Sequence, residues 1–313
     1  MCVNGRLICV VCLTFIFSTG SIVSQTIPYD TVVCFGDSTS DTGNVYNLTN
    51  SSWPPAPFYQ GRFSNGPVWI EKLGIPTLLN YAYGSATTDN NLVPGTTEFN
   101  TSVPGIRQQI GLYKSKTDLT EVNFDRTLYA VWANGNDYYF NMSLSPSTVV
   151  NSLINGIQDL IQIGAKKILI LTQIPLQIYP AAQLLNLNDF LSTLTLSHNT
   201  DLSNQIANLR SQNPQISFYL HNVSLLITNI LNNTSRYGIN STQNCWITTN
   251  HIIVQLCSTP DTYMFIDEYH FTTRIHQMIA DDVKSSIQTS HGLVLTAFSI
   301  YFYIILNLQM FIS

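Results

Sequence analysis

The stretch TVVCFGDSTSDTGN, Thr31–Asn44, joins a short apolar run to a tight turn and a series of small polar residues. The run ends at Gly36, which permits a sharp turn, and Ser38 follows at once. In an open parallel sheet, ligands bind outside the carboxyl ends of the strands, so Ser38 is expected at a binding site. A serine in this place is also typical of a helix N-cap, and the stretch alone leaves both interpretations open.

Apolar runs of similar length recur along the chain and alternate with segments of helical periodicity. Such runs are typical of strands that are buried on both faces of a sheet. Strands separated by helices predict an α/β fold, here a three-layer sandwich in which helices flank a five-stranded, mainly parallel sheet. The predicted strands are Thr31–Phe35, Thr77–Tyr81, Thr127–Trp132, Lys167–Thr172 and Ile216–Leu220.

Three later segments have a helical pattern. Ser145–Pro146 combines an N-cap residue with a proline at the first helical position, and Gly164 is a stop signal for that helix. Leu184–Leu209 predicts a longer helix, and Thr272–Ile287 predicts a terminal one. No repeat or linker interrupts these elements, so we predict one domain over residues 26–290.

Composition limits the compartment and the partners. The 313 residues include only 10% charged side chains, the net charge is −5, and no basic run exists, so nucleic acid is not an expected partner. Arg6 followed by the apolar run Leu7–Phe17 predicts a signal peptide, residues 1–24, cleaved near Ser24–Gln25. A membrane-anchoring helix is the alternative, but the run is too short to span a bilayer comfortably.

N-glycosylation sequons also favour export from the cell. A chain rich in Asn produces some of these triplets by chance, so we do not expect all of them to be used. The sequons lie at Asn47, Asn50, Asn100, Asn141, Asn222, Asn232, Asn233 and Asn240. We expect a secreted, extracellular protein that is a monomer.

Three of the six cysteines lie within the predicted signal peptide. Cys245 and Cys257 flank a short loop and are expected to form a disulfide in an oxidising compartment. Cys34 lies in an apolar run and is expected to be a buried core thiol. The spacing fits no zinc pattern, so neither a metal nor a cofactor is expected.

The chain carries a second apolar segment, 292–312, without charged residues. A tail anchor through the membrane is one interpretation, and a GPI-anchor signal that is removed on processing is another. A tail that packs on the domain is the third. Attachment to a membrane through this segment therefore stays a hypothesis among alternatives.

The sequence DEYH, Asp267–His270, supplies what a serine nucleophile needs. A serine hydroxyl reacts well only beside a base, and a carboxylate on the other ring nitrogen of a histidine fixes its tautomer. A spacing of three residues lets Asp267 fold back onto His270 in a short turn. None of the other histidines has a carboxylate three residues before it, and His276 is expected on the exposed face of the terminal helix.

Two more polar turns follow predicted strands. In NGND, Asn134–Asp137, the amide of Asn136 has the chemistry to donate to a developing oxyanion, although Asn–Gly turns are also common without any function. In NYAYGSATTDN, Asn80–Asn90, a Gly–Ser turn offers a backbone N–H to the same oxygen. Each motif is weak by itself.

Together, FGDS, YGSAT, NGND and DEYH occur in the order and rough spacing of the four blocks of GDSL-type esterases and lipases, the SGNH hydrolases. The chain resembles the lipase-like acylhydrolase branch of that family from about Thr31 to Ile287, which implies an SGNH, flavodoxin-like fold. The resemblance implies that Ser38 is the nucleophile and that His270 and Asp267 are its base and orienting acid. It implies an oxyanion hole formed by the Ser38 N–H, a backbone N–H of Gly84 or Ser85, and the Asn136 side chain.

The chain departs from the family pattern at four positions. Asn134 and Ser85 stand where glycines are usual, Ile266 where tryptophan is common, and Phe271 where proline follows the histidine. These changes concern packing and turn shape more than the reacting groups.

The sequence therefore predicts a serine esterase or lipase that hydrolyses acyl or acetyl esters through an acyl-enzyme on Ser38. The expected substrate is a small-molecule, lipid or acylated-polysaccharide ester. An α/β-hydrolase lipase is disfavoured because the chain lacks a G-x-S-x-G elbow. The alternative function is a catalytically weak cell-surface or glycan-binding protein on the same scaffold.

Overall fold

Short strands alternate with helices through most of the chain in the computed structural model, which describes residues 27–133, 135–249 and 252–288. The strands are β1 (Thr31–Gly36), β2 (Thr77–Asn80), β3 (Gly95–Thr96), β4 (Ser102–Val103), β5 (Thr127–Trp132), β6 (Lys167–Leu171), β7 (Ser217–His221), β8 (Ser241–Asn244), β9 (Ile247–Thr249), β10 (Ile252–Gln255) and β11 (Tyr263–Phe265). The helices are α1 (Asn44–Leu48), α2 (Trp69–Lys72), α3 (Ile106–Lys116), α4 (Asn136–Phe140), α5 (Pro146–Gln162), α6 (Pro180–Leu184), α7 (Asn188–Gln212), α8 (Val223–Asn232) and α9 (273–288).

The central sheet has five parallel strands in the order β2-β1-β5-β6-β7. The predicted α/β architecture is thus confirmed, and each predicted strand is found to within one residue at either end. The strand order reverses between β1 and β5, which makes the crevice above these two strands the switch point where doubly wound sheets bind ligands. Antiparallel pairing occurs in the small ribbons β3–β4 and β9–β10 and in an isolated bridge between Phe265 and Phe271.

Strand β2 differs from its prediction as a strand buried on both faces. It pairs with β1 alone and forms one edge of the sheet, so Leu79 is 38% exposed. Strand β5 pairs on both sides with β1 and β6, and all six of its residues are buried. Both runs are apolar, so composition alone does not distinguish an edge strand from a central one.

Side chains alternate across the sheet and divide the core into two layers. Val33 and Phe35 of β1 pack with α3, α5 and α7 on one face. Val32 and Cys34 pack with α2, α8 and α9 on the other. Cys34 is a free, fully buried thiol, as predicted, and burial raises its pKa.

The predicted helix α5 is confirmed in detail. The Ser145 Oγ accepts a hydrogen bond from the Thr148 N–H at 3.2 Å, Pro146 opens the helix, and Gly164 follows its end with a φ of 102°. The predicted helix Leu184–Leu209 is wrong at its start. Leu184 ends the separate helix α6, and a left-handed Asn186, with a φ of 55°, breaks the chain before α7.

The prediction that His276 is exposed on the terminal helix is wrong. The side chain is 1% exposed, and its Nδ1 accepts a hydrogen bond from the Trp69 N–H at 3.2 Å. Burial lowers the pKa of His276 to about 3. A polar residue on an amphipathic helix is expected outside, but here it provides the acceptor that the first N–H of α2 needs.

The predicted signal peptide (1–24) and C-terminal apolar segment (292–312) lie outside the described residues, as does Asn134. Within the described ranges, no helix combines the length and the apolar character needed to cross a membrane. The limits of the domain, 26–290, stay a prediction.

Candidate active site

Ser38 lies in the turn that follows β1. Gly36, the last residue of β1, is in close contact with β5, because a Cβ there would be 2.9 Å from the Trp132 carbonyl oxygen. Asp37 is buried and holds the turn: its side chain accepts the Thr39 N–H at 2.9 Å, and its carbonyl accepts the Ser40 N–H at 2.9 Å. The Ser38 side chain therefore lines the cleft at the carboxyl end of the sheet.

The DEYH turn folds back on itself and meets Ser38. The Asp267 Oδ1 accepts the backbone N–H groups of Tyr269 at 2.9 Å and His270 at 2.7 Å, which closes the turn. The His270 Nδ1 lies 2.7 Å from the Asp267 Oδ2, and its Nε2 lies 3.0 Å from the Ser38 Oγ. The three side chains that the sequence singled out are thus joined across 232 positions of the chain.

The surroundings of His270 fix its tautomer and its orientation. Asp267 is 6% exposed, and a buried carboxylate beside Nδ1 favours a proton on that nitrogen, which leaves the Nε2 lone pair for the Ser38 hydroxyl. The Phe63 ring lies 5.0 Å from the imidazole, between ring centroids, and the Phe58 ring lies 6.4 Å away. The imidazole is therefore held by a carboxylate on one side and by aromatic rings on another.

Three N–H donors stand near Ser38 at the same end of the sheet. Asn136 is the first residue of α4, and its Nδ2 donates to the Ala86 carbonyl at 2.9 Å, which leaves its second amide hydrogen for the cleft. Ser85 lines the cleft in a left-handed conformation with a φ of 66°. Among the described residues, no acceptor takes the backbone N–H of Ser38 or of Ser85.

Gly84 does not belong to this set. Its N–H donates to the Asp41 Oδ2 at 2.8 Å, so it is not free to bind a substrate oxygen. Of the two alternatives that the sequence left open, Ser85 is the one whose N–H has no acceptor among the described residues. The Gly84 N–H is already bonded to Asp41, so Ser85 is the better candidate donor.

Asp41 was given no role from the sequence, although it lies within the quoted FGDSTSDTGN stretch. Its carboxylate is fully buried and accepts four backbone N–H groups, those of Gly43, Asn44, Val45 and Gly84. Burial raises the pKa of Asp41 to about 6 even though these donors favour the charged form. Asp41 therefore ties the turn of Ser38 to the turn of Ser85.

Two further side chains fix the polar turns against each other. The Asn44 Nδ2 donates to the carbonyls of Asn80 at 2.9 Å and Ala82 at 2.8 Å, which holds the chain that leads to Ser85. Buried Asp137 accepts the Thr88 hydroxyl at 2.6 Å and the Thr88 N–H at 3.0 Å. Burial raises the pKa of Asp137 to about 6. In the sequence, the signal for the Asp41 and Asn44 contacts was an aspartate shortly before a Gly–Asn pair, Gly43–Asn44.

The predicted Cys245–Cys257 disulfide is present. The Cys245 N–H donates to the Phe265 carbonyl at 3.0 Å, and the Trp246 N–H donates to the Ile266 carbonyl at 2.7 Å. The disulfide loop is therefore bonded to the strand that leads directly into Asp267. Ile266, one of the departures from the family pattern, is fully buried against Trp246 in the same cluster.

The departure at Phe271 also has a packing role, because its ring stacks on that of Phe265 with centroids 5.2 Å apart. The departure at Ser85 is accommodated in the left-handed turn described above. Both substitutions leave the reacting groups unchanged.

The cleft at this site has a volume of about 520 Å³. Ser38, Ser85, Asn136 and His270 all line it. Within the described ranges, no group of three His, Cys, Asp or Glu side chains lies close enough together to hold a metal ion. The site thus combines a hydroxyl, a base, an acid and several N–H donors, which is the set of groups that acyl transfer requires.

Comparisons with known proteins identify the family of the chain. The family model for GDSL-like lipase/acylhydrolase matches residues 32–283. The chain is 23% identical to a phosphatidylcholine-sterol acyltransferase from Aeromonas hydrophila over 84% of this chain and 91% of that protein. It is 24% identical to a GDSL esterase/lipase from Arabidopsis thaliana over 82% and 89% of the two chains.

Solved structures resemble the chain more distantly. A carbohydrate acetylesterase from Sinorhizobium meliloti has a TM-score of 0.44 at 13% identity, covering 83% of this chain and 98% of its own. An α/β hydrolase enzyme from a Lake Arreo metagenome has a TM-score of 0.48 at 13% identity, covering 83% and 95%. The match of the family model over most of the chain shows that this protein belongs to the GDSL-like lipase/acylhydrolase family and is a carboxylic ester hydrolase.

Proposed function

We propose that this protein hydrolyses carboxylic esters through an acyl-enzyme on Ser38, with His270 as the base and Asp267 as its orienting acid. The observation that carries the proposal is the chain of contacts from Asp267 Oδ2 to His270 Nδ1 at 2.7 Å and from His270 Nε2 to Ser38 Oγ at 3.0 Å. These distances lie within the hydrogen-bond reach that a nucleophile and its base require.

The reaction proceeds in two halves. In the first, the Ser38 Oγ attacks the ester carbonyl carbon while His270 Nε2 takes the hydroxyl proton, and the collapse of the tetrahedral intermediate releases the alcohol with that proton. In the second, His270 Nε2 takes a proton from a water molecule as its oxygen attacks the acyl carbon. The bond between that carbon and Ser38 Oγ then breaks, which releases the carboxylic acid and returns the proton to Ser38 Oγ. Asp267 stabilises the imidazolium that forms in each half.

The negative charge of the tetrahedral intermediate needs donors that are already in place. We assign this role to the backbone N–H groups of Ser38 and Ser85 and to the Asn136 side chain. Asn136 is fixed by its bond to the Ala86 carbonyl, so its remaining N–H is held in one direction. The Ser85 turn is fixed through the neighbouring Gly84 and Asp41.

The substrate of this proposal is a small-molecule, lipid or acylated-polysaccharide ester. Relatives named as an acyltransferase that acts on phosphatidylcholine and as a GDSL esterase/lipase support acyl esters as a class. No metal takes part, because His270 supplies the activation that a metal-bound water would otherwise provide.

Labelling with a fluorophosphonate tests the nucleophile. The wild-type protein is expected to react with the label once per chain. In a separate kinetic assay, Ser38→Ala and His270→Ala are expected to lower kcat for a p-nitrophenyl ester by several orders of magnitude. Ser203→Ala removes an exposed hydroxyl on α7 and serves as the control with normal labelling. Labelling that persists in Ser38→Ala would show that another residue is the nucleophile.

We further propose that the protein is secreted and glycosylated. The N-terminal apolar run, the Cys245–Cys257 disulfide and the sequons support this, and seven of the eight sequon asparagines are exposed, Asn141 being half-buried. Expression of the full chain in a eukaryotic secretory host tests it by N-terminal sequencing of the medium fraction and by a mass shift after amidase treatment. Retention in the cytosol without a glycan would reject the proposal.

A further inference from the structure

The cleft beside Ser38 has two walls of different chemistry. The apolar wall is formed by residues from α4, α6, the start of α7, the segments that follow α4 and α6, and the turn after β6. It includes Tyr138, Met142, Leu176, Ala182, Leu185 and Leu191. The polar wall is formed by Thr96, Thr97, Glu98 and Asn100 of the β3–β4 ribbon. The catalytic groups of the proposed function belong to neither wall.

The apolar wall is larger than a short acyl group can cover. The Tyr138 side chain is buried, and its hydroxyl bonds to the buried His198 Nδ1 at 2.7 Å, so it brings no free polar group to this wall. Leu185 is 65% exposed and Met142 is 46% exposed, although both line the cleft. Apolar surface of this kind is stabilised when a ligand removes it from water. An acetyl group would leave most of the apolar wall exposed to water in a cleft of about 520 Å³.

The charges of the cleft restrict the alcohol part of the ester. Asp37 and Glu98 line the cleft, and within the described chain no lysine or arginine does. A phosphate or carboxylate on the alcohol would therefore meet acidic side chains and no cationic partner, which raises its free energy in the site. Hydroxyl and amide groups of the polar wall suit an uncharged, hydroxylated alcohol.

From these walls we infer that the enzyme prefers esters of a long acyl chain, about eight carbons or more, with an alcohol that carries no negative charge. The inference rests on the proposed function, because it assigns the substrate of the same site. A monoacylglycerol is one compound of this class. The apolar wall would hold the chain, and the polar wall would bind the alcohol.

A series of p-nitrophenyl esters from two to twelve carbons, each below its critical micelle concentration, tests the acyl part. We expect kcat/KM to rise about two- to fourfold per added methylene up to at least eight carbons. A maximum at two to four carbons would overturn the inference and leave the proposed function intact. Absence of hydrolysis for the whole series would instead reject the proposed function.

Glutamine variants test whether the preference for long acyl chains arises at the apolar wall. Leu185→Gln is expected to lower kcat/KM for the ten-carbon ester about fivefold or more, with the two-carbon ester unchanged. Met142→Gln is expected to act in the same direction. Leu196→Gln is the control, because Leu196 is a comparably exposed leucine, at 71%, that does not line the cleft. Equal losses for both esters in Leu185→Gln and Met142→Gln, or no loss for either, would overturn the assignment.

Two lipid substrates that share one acyl chain but differ in the charge of the alcohol test the prediction about the alcohol. We expect a monoacylglycerol to be hydrolysed at least several-fold faster than the lysophosphatidic acid with the same acyl chain. We expect Glu98→Gln to lower the ratio of these two rates. Glu121→Gln removes an exposed carboxylate that does not line the cleft and is the control. Equal or faster hydrolysis of lysophosphatidic acid by the wild-type enzyme would overturn this part of the inference.

Discussion

At the scale of single residues, the proposed mechanism gives the Asn136 amide two tasks. One N–H holds the Ala86 carbonyl, and the other remains for the substrate. Asn136→Ala is expected to lower kcat about 10²–10³-fold with little change in KM, because the donor acts mainly in the transition state. Steady-state kinetics and Tm on the purified variant check this. Asn136→Asp is expected to lower kcat at least as much. A normal kcat with a lowered Tm in Asn136→Ala would mean that Asn136 only shapes the turn.

Asp41 supports the proposed donors of Ser38 and Ser85 through the turns that carry them, because it accepts the N–H of the neighbouring Gly84. Asp41→Asn keeps the volume but removes an acceptor, so we expect the Ser85 turn to loosen and kcat to fall roughly tenfold or more with KM little changed. Asp118→Asn is the matched control, because Asp118 also accepts a turn N–H, that of Thr120 at 3.0 Å, but is exposed and remote from the cleft. A loss of Tm without a loss of kcat would restrict Asp41 to a structural role.

At the scale of elements, α9 packs on α2 through buried His276. Its pKa, lowered to about 3, compares with about 6.5 in an unfolded chain, so the folded protein favours the neutral ring. The unfolded chain takes up the proton first, and the stability that the neutral ring provides is therefore complete above about pH 6.5 and lost as the pH falls toward 3.

His276→Gln, which keeps an acceptor for the Trp69 N–H, is expected to lose less stability than the wild-type protein between pH 7 and pH 4.5. Urea unfolding at several pH values measures the two slopes. Burial lowers the pKa of His198 to about 4 and raises those of Asp41 and Asp137, but these groups are common to both proteins, so the difference between the slopes isolates His276. Parallel slopes would contradict the prediction.

The disulfide belongs to this scale as well, because it braces the strand before Asp267. Cys245→Ser/Cys257→Ser is expected to lower the free energy of unfolding by about 2–4 kcal/mol, because the bridge restricts the unfolded chain by closing a loop of 12 positions. Urea unfolding measures this loss, and kcat should fall as the DEYH turn loosens. Peptide mapping without reductant is the check on pairing, and a bridge from either cysteine to Cys34 would refute it.

At the scale of the whole molecule, the groups of the proposed site follow the ends of β1, β5 and β11 and come together at the cleft. The proposed mechanism needs no metal, because the base at His270 activates the nucleophile. Esterase activity is therefore expected to be unchanged after dialysis against EDTA. Activity that disappears with EDTA and returns with zinc or calcium would contradict the mechanism.

Many features of this protein can be predicted from short sequence patterns. Buried strands and capped helices follow from hydrophobic periodicity and from signals such as Ser145–Pro146, and these depend on a few neighbouring residues. The groups of the proposed triad were also recognisable, because a serine after a buried strand and an Asp–His pair at a spacing of three are short-range features. The disulfide was recognisable for the same reason.

Other features depend on contacts between segments that are far apart in the chain. The sequence did not show that Gly84 is bound to Asp41, because the partner lies 43 positions away and the choice between Gly84 and Ser85 depends on the direction of each N–H. It did not show that His276 is buried or that β2 is an edge strand, because burial is set by the elements that pack against a residue. The sequence by itself determined the α/β fold and the chemistry available at the site. Only the tertiary structure decided which donors remain free and which surfaces line the cleft, since those properties belong to packed neighbours and not to any one segment.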